Sequence, residues 1–205
     1  MSDTYRTVEG RGESAFEVRG SEFIGHARPA RSVEDAEAFV AAVEEEYADA
    51  THNVPAYRVR VGDGTPSGHR LREYERDDSE PTGSAGDPAL NVLVQRDVEN
   101  VAAVVTRYYG GTNLGVGGLA RAYSRAVTEA VDDAGVIERE PREEVVVTVA
   151  YDDSGTVRGI LESAGVDFEA EYAERAQFEA LVPTSAADDL RDRLRSATSG
   201  RAEVS

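Results

Sequence analysis

The sequence predicts an α+β protein of two domains, residues 1–140 and 141–205. Three observations carry that reading. Segments with the alternation of strands and segments with the periodicity of helices succeed one another along the chain. The pattern changes at Pro141, a residue that interrupts both helices and sheet ladders. Beyond it the elements run strand, helix, strand, strand, helix, strand, which is the split βαβ, ferredoxin-like plan.

In the first domain, candidate strands at 5–9, 15–19 and 23–28 are broken by Gly10, Gly12 and Gly20. Ser32 opens a helix. Asp35 stands three residues on in capping-box position, and Val33, Ala36, Phe39, Val40, Val43 and Tyr47 form one apolar face. Residues 56–61 and 69–75 read as a strand pair around the Gly/Pro-rich turn 62–68. A charged segment, 76–88, precedes a short helix at 89–94. The strand 101–109 begins Val-Ala-Ala-Val-Val, apolar on both faces and so expected at the centre of a sheet. A helix over about 119–133 stops at Gly135.

The second domain places strands at 144–151, 166–172, 176–182 and 201–204, with helices at 156–163 and 185–196. The two helices are expected to cover one face of a four-stranded antiparallel sheet.

Composition narrows the function classes. Hydrophobic residues make up 40% of the chain, enough for a core. No run approaches the roughly 18 apolar residues needed to span a bilayer, and no apolar run with basic flanks opens the chain. The absence of cysteine excludes disulfides, thiolate nucleophiles and cysteine metal sites. A soluble cytoplasmic protein without a membrane partner is expected. Forty acidic residues oppose 22 basic ones, all arginine, for a net charge of −18. The acidity is spread evenly: residues 1–140 carry 26 acids and 15 arginines, and 141–205 carry 14 and 7. Molar salt screens such repulsion within about 3 Å, so the charge is read as halophilic adaptation rather than as a face for a basic partner.

Five glycines fall in the nine residues 110–118, between the apolar strand and the next helix. Such a loop exposes backbone N–H groups and can cradle an anion, with Arg107 and Arg121 flanking it. Gly115, Gly117 and Ala120 formally satisfy a dinucleotide fingerprint, but five residues separate the strand from the first of them, where a Rossmann turn follows its strand directly. A Walker loop needs a lysine, which the chain lacks.

The same segment resembles a family signature. Arg107, Tyr108, Tyr109, Gly110, Gly111, Leu114, Gly115, Gly117, Gly118, Leu119, Arg121, Ala122 and Tyr123 follow the R-Y-F-G-G-x-x-L-G-x-G-G-L-x-R-A-Y block of the YigZ/IMPACT family. Asp77 and Asp78, followed by Ser79 to Gly86, resemble its D-D-G-E-P-S-G-T-A-G motif. Ala50, Thr51, His52 and Asn53, with Ala56, Tyr57 and Arg58, resemble D-A-T-H-N-C-Y-A-Y-R, and Ser21, Phe23 and Ile24 resemble K-S-x-F-I. This chain departs in having Asn113 where a loop lysine is frequent, Ser79 for a glycine, Thr82 for a serine and Val54 for a cysteine.

The resemblance implies a first domain like domain 2 of ribosomal protein S5 and a second like domain V of elongation factor G. It implies a link to translation, since the eukaryotic members restrain the amino-acid-starvation kinase by competing for its activator. On that footing the expected partner is RNA or the ribosome, or a protein of the translation apparatus. The expected contact face comprises Arg58, Arg107, Tyr108, Gly110, Gly111, Gly115, Gly117, Gly118 and Arg121. His52, Asn53, Asp78, Glu80, Thr82, Ser84 and Gly86 are motif residues without an assigned role. No catalytic residue, cofactor or metal is assigned. The alternatives are a Mg²⁺-dependent hydrolase of a phosphorylated small molecule, with Asp78 and Glu80 at the metal, and a protein–protein adaptor.

Overall fold

The computed structural model describes residues 4–62 and 70–205. Its contacts divide the chain into one unit spanning Tyr5–Arg139 and another built on Glu140–Ser205. His69 and the expected turn at 62–68 lie almost wholly outside the described residues.

The first unit centres on β6 (Val101–Tyr108), third of five strands in the order β2 (Gly12–Val18), β3 (Ser21–Pro29), β6, β4 (His52–Val61), β5 (Arg70–Glu75). All neighbours are antiparallel. The apolar run of β6 divides by alternation as expected of a central strand. Val101, Ala103 and Val105 enter the core under α2 (Gly86–Gln95) and α3 (Val116–Ala134), while Ala102 and Val104 face α1 (Val33–Glu46). Helix α3 buries Leu119, Ala122, Tyr123, Ala126, Val127, Ala130 and Val131 at helical spacing. It lies so close to β2 and β3 that a Cβ on Gly12 would stand 2.2 Å from the Ala130 carbonyl, and one on Gly25 2.4 Å from that of Ala126.

At the start of α1 the Ser32 hydroxyl accepts from Asp35 N–H at 3.1 Å. The reciprocal half of the expected capping box is displaced: the Asp35 carboxylate accepts from Arg31 N–H, 3.0 Å away, and takes the Arg28 guanidinium. The sequence reading omitted β7 (Val136–Arg139), which pairs antiparallel with β1 (Tyr5–Val8) beyond the end of α3. Its partner lies about 130 residues away, so local pattern does not reveal it.

The second unit comprises β8 (Arg142–Val149), α4 (Tyr151–Ala164), β9 (Phe168–Tyr172), β10 (Ala176–Pro183), α5 (Thr184–Ala197) and β11 (Glu203–Val204). The antiparallel order β11-β8-β10-β9 is the ferredoxin-like arrangement expected from the element order. Val145, Val147, Val149, Phe178, Leu161 and Leu194 share its core. The opposite side of the sheet carries exposed Glu169, Glu171 and Glu179, with Glu169 directly across from Glu179. Among the described residues no helix is long and apolar enough to cross a membrane.

Candidate functional site

Four segments distant in sequence meet at one end of the first sheet. Strand pairing sets Arg107 of β6 between Phe23 of β3 and His52 of β4, and residues directly opposite in a ladder share a face. The Arg107 side chain is 4% exposed. Its Nη1 donates to Glu80 Oε1 at 2.5 Å and its Nη2 to Ser21 Oγ at 3.2 Å, while the guanidinium lies 5.4 Å from the ring centres of Phe23 and Tyr109. Tyr123 of α3 donates to the same Glu80 oxygen at 2.8 Å. A carboxylate this buried is costly unless charge and hydrogen bonds compensate it, and Arg107 and Tyr123 provide both. Burial, reinforced by the Glu80 charge, pushes the Tyr123 hydroxyl far above the usual tyrosine range.

His52 is oriented by the turn that carries Glu80. Its Nδ1 lies 2.7 Å from the Asp78 carbonyl oxygen, which only accepts, so Nδ1 carries the proton. Its Nε2 lies 3.7 Å from Glu80 Oε1. Asp78 and Ser79 both adopt left-handed backbone, with φ of 48° and 69°. That turn also lets the Asp78 carboxylate accept from Asn53 N–H at 2.7 Å. The Asn53 amide bridges the Tyr47 carbonyl and the Thr106 hydroxyl. Asp77 accepts from the N–H groups of Gly83, Ala85 and Gly86 at the start of α2. Burial alone would raise its pKa, but these three donors hold it below the ordinary carboxylate value. Thr82 is exposed and Ser84 fully buried, and Gly86 packs against Glu75 and Arg76.

The glycine loop divides by role. Gly110 donates to Ser21 Oγ at 3.1 Å, and a Cβ there would stand 1.9 Å from the Gly20 backbone, so the position admits only glycine. Gly115, at φ 71°, caps α3 without a side-chain hydrogen bond, and the first turn of α3 contains no acid. Gly111 is also left-handed, at φ 82°, whereas Gly117 and Gly118 lie within the first helical turn.

Two concavities flank Leu114. A cleft of about 490 Å³ is walled by Thr51, His52, Glu80, Arg107, Tyr109, Leu114, Gly115, Val116 and Leu119. A groove of about 290 Å³ on the other side is lined by Phe16, Val18, Arg19, Arg121 and Arg125, and no carboxylate is among its lining residues.

The structure therefore gathers His52, Asn53, Asp78, Glu80, Arg107 and Gly110, with Arg121 one turn into α3. It does not bring Arg58 or Tyr108 to them. Arg58 is paired across from Val101 at the other end of β4, where it bonds Glu73 and Asp97. Tyr108 points to the α1 face and donates to Asp49 at 2.9 Å. Arg107, read from sequence as a contact for RNA, is instead enclosed by Glu80, Ser21 and two aromatic rings. The hydrolase alternative meets a similar obstacle, because Glu80 is held by Arg107 and Tyr123, and Asp78 by Asn53 N–H. Among the described residues no group of three or more His, Asp or Glu is placed to hold a metal ion. Sequence reasoning missed Arg19 and Arg125. The i,i+4 spacing of Arg121 and Arg125 was a usable signal for the second, but the left-handed turn at Arg19, φ 50°, had none.

An antiparallel five-stranded domain followed by a ferredoxin-like one, with residues of four sequence motifs meeting at a single sheet end, defines a two-domain α+β class with known relatives. Residues 19–131 match the Impact N-terminal domain, and residues 147–201 match a domain of unknown function, DUF1949. IMPACT family member YvyE of Bacillus subtilis (strain 168) is 32% identical over 205 residues, covering 100% of this chain and 91% of YvyE. YigZ of Escherichia coli (strain K12) is 36% identical over 135 residues, 66% of this chain and 64% of YigZ. A crystal structure of a hypothetical protein superposes with a TM-score of 0.72 at 27% identity, covering 100% of this chain and 97% of its own. The chain belongs to the IMPACT family.

Proposed function

We propose that this protein is a regulatory or accessory factor of translation that binds RNA, ribosomal RNA foremost, along the groove between β2 and α3. The observation that carries the proposal is the groove's charge. In a chain of net charge −18, Arg19, Arg121 and Arg125 line one concavity. Arg19 and Arg121 are exposed and have no carboxylate partner among the described residues. Arginines that stay unpaired amid an excess of acid are available to phosphate oxygens. Arg125, whose Nε donates to Glu129 at 2.7 Å, sits 4.0 Å above the Phe16 ring, so the groove adds an aromatic surface of the kind that single-stranded RNA stacks upon to the two unpaired arginines. The tie to translation comes from the family, whose eukaryotic members act there. The acidic sheet face of the second unit is unsuited to RNA, which supports a contact on the first unit.

In-cell UV crosslinking with purification under denaturing conditions tests this, because it reads contacts formed at the cell's own salt. Enriched ribosomal RNA that disappears in an Arg19→Ala/Arg121→Ala variant is the expected result. RNA at background in the wild-type protein would overturn the proposal and favour a protein partner.

A further inference from the structure

Leu114 lines both the arginine groove and the cleft, so a strand lying in the one reaches the mouth of the other. The two concavities differ in charge. The groove holds Arg19 and Arg121, neither with a carboxylate partner among the described residues. The cleft holds Arg107 and Glu80, which pair with each other, each side chain 4% exposed, so their charges cancel. A phosphate gains little by entering it. An uncharged, flat group gains more, because Pro81, Leu114, Val116 and Leu119 supply apolar wall. The cleft's volume, about 490 Å³, lies within the range of pockets that enclose small molecules, roughly 300–1,000 Å³.

Tyr109 stands in this wall exposed yet held. Its ring is 45% exposed. Its hydroxyl donates to Asn113 Oδ1 at 3.1 Å, and its N–H donates to Thr51 Oγ1 at 2.9 Å. The Arg107 guanidinium lies 5.4 Å from the ring centre, a cation–π contact that steadies it further. A ring fixed before binding loses little freedom when a second ring stacks on it. Asn113, also in the wall, spends Oδ1 on Tyr109, and its amide N–H groups have no acceptor among the described residues. Nucleobases carry acceptors on their edges.

We propose that the cleft takes one unstacked nucleobase of the RNA whose phosphates lie in the groove. The base stacks on Tyr109, and the Asn113 amide donates to its edge. This rests on the RNA reading of the groove and deepens it by naming the ligand as single-stranded, since a base held in a duplex is costly to unstack. Phosphate contacts at Arg19 and Arg121 then position the strand, and the cleft holds a base.

Photocrosslinking and affinity measurements with a single-stranded uridine oligonucleotide of about 12 residues, carrying 5-iodouridine, test the site at the lowest salt that keeps the chain folded. The expected result is an adduct on Tyr109, located by mass spectrometry of the wild-type protein. Tyr109→Ala is expected to weaken binding about tenfold, and Tyr109→Phe, which keeps the ring, to leave it nearly unchanged. The same oligonucleotide annealed to its adenosine complement is expected to bind at least about tenfold more weakly than the single strand. Binding that requires Arg19 and Arg121 but is unchanged in Tyr109→Ala, or adducts on Phe16 and none on Tyr109, overturns the base site and leaves the RNA groove standing. Equal affinity for the duplex does the same. No binding of the oligonucleotide by the wild-type chain overturns both.

Discussion

Arg107 and Glu80, 27 residues apart in sequence, form an ion pair in which each side chain is only 4% exposed. The pair ties the central strand to the turn before α2, and Tyr123 joins it from α3. Removing one member strands the other charge in the interior. Arg107→Met is therefore expected to cost about 3–5 kcal/mol, read as a lower midpoint in denaturant unfolding. Adding Glu80→Gln to it removes the stranded charge and is expected to recover much of the loss. Equal midpoints for wild type and Arg107→Met would show that the pair contributes nothing.

Tyr123→Phe deletes one donor to the Glu80 carboxylate and is expected to cost about 1.5–3 kcal/mol. It also changes the alkaline limb of stability. Burial and then the Glu80 charge raise the folded-state pKa of Tyr123 above its unfolded value. The folded chain therefore keeps a proton that the unfolded chain releases. Stability from this group is complete below the unfolded tyrosine pKa and is lost as pH rises above it. Thermal melts across the alkaline range are expected to show a shallower decline in Tyr123→Phe.

Asp77 has the opposite sign. Its folded pKa is depressed by the donors Gly83, Ala85 and Gly86, against the effect of burial. The stability it contributes is present above the unfolded aspartate pKa and lost as pH falls through the folded value. Asp77→Asn is expected to flatten the acid limb of a melting profile. Asp77→Ala, which leaves all three N–H groups without the side chain, is expected to cost about 0.5–2 kcal/mol at neutral pH.

Ser79 holds a left-handed backbone at φ 69° that glycine adopts without strain. Ser79→Gly is expected to stabilise the first unit by about 0.5–1 kcal/mol, the relief of strain exceeding the added entropy of the unfolded chain. Asp78→Gly relieves a similar strain but loses the carboxylate bond to Asn53 N–H, and is expected to destabilise. Chemical unfolding of the two variants side by side separates these outcomes.

Glu169 and Glu179 stand directly opposite on adjacent strands of the second unit. Like charges in that geometry repel, and salt screens them. Together with the net charge of −18, they lead us to expect a melting temperature that climbs steadily from low to molar potassium chloride. Glu179→Gln is expected to raise the melting temperature at low salt and to make the climb shallower.

Much of this architecture is legible in the residues. The two-faced apolar run of β6 announced a central strand, Ser32 announced α1, and the element order after Pro141 announced the ferredoxin-like sheet. Helix ends were less legible. Helix α4 begins at Tyr151, five residues before its expected start, because Ala150 supplies no side-chain cap to mark it. At the site, strand alternation accounts for the separation of Tyr108 from Tyr109 and for Tyr109 lying beside Arg107. What alternation does not reveal is where along a strand a residue lies relative to a distant segment. Arg58 and His52 share a strand face, yet six residues of extended chain, about 20 Å, separate them. Nor does a motif disclose burial: Arg107 reads as a surface cation until Glu80, 27 residues upstream, is placed against it.

The position of β6 also dictates an order of assembly. Strands β2 and β3 are neighbours in sequence and in the sheet, as are β4 and β5, but β3 and β4 do not touch; β6 lies between them. During synthesis the two hairpins are therefore expected to stay separate, half-finished sheets until residues 101–108 leave the ribosome and can pair between them. Until then β3 and β4 each present an open edge with unpaired backbone groups. Insertion of one late strand closes both edges at once and, in the same step, delivers Arg107 to Glu80. Pulse-labelled hydrogen exchange of arrested nascent chains is expected to show protection of β3 and β4 arriving together, and only after β6 has emerged.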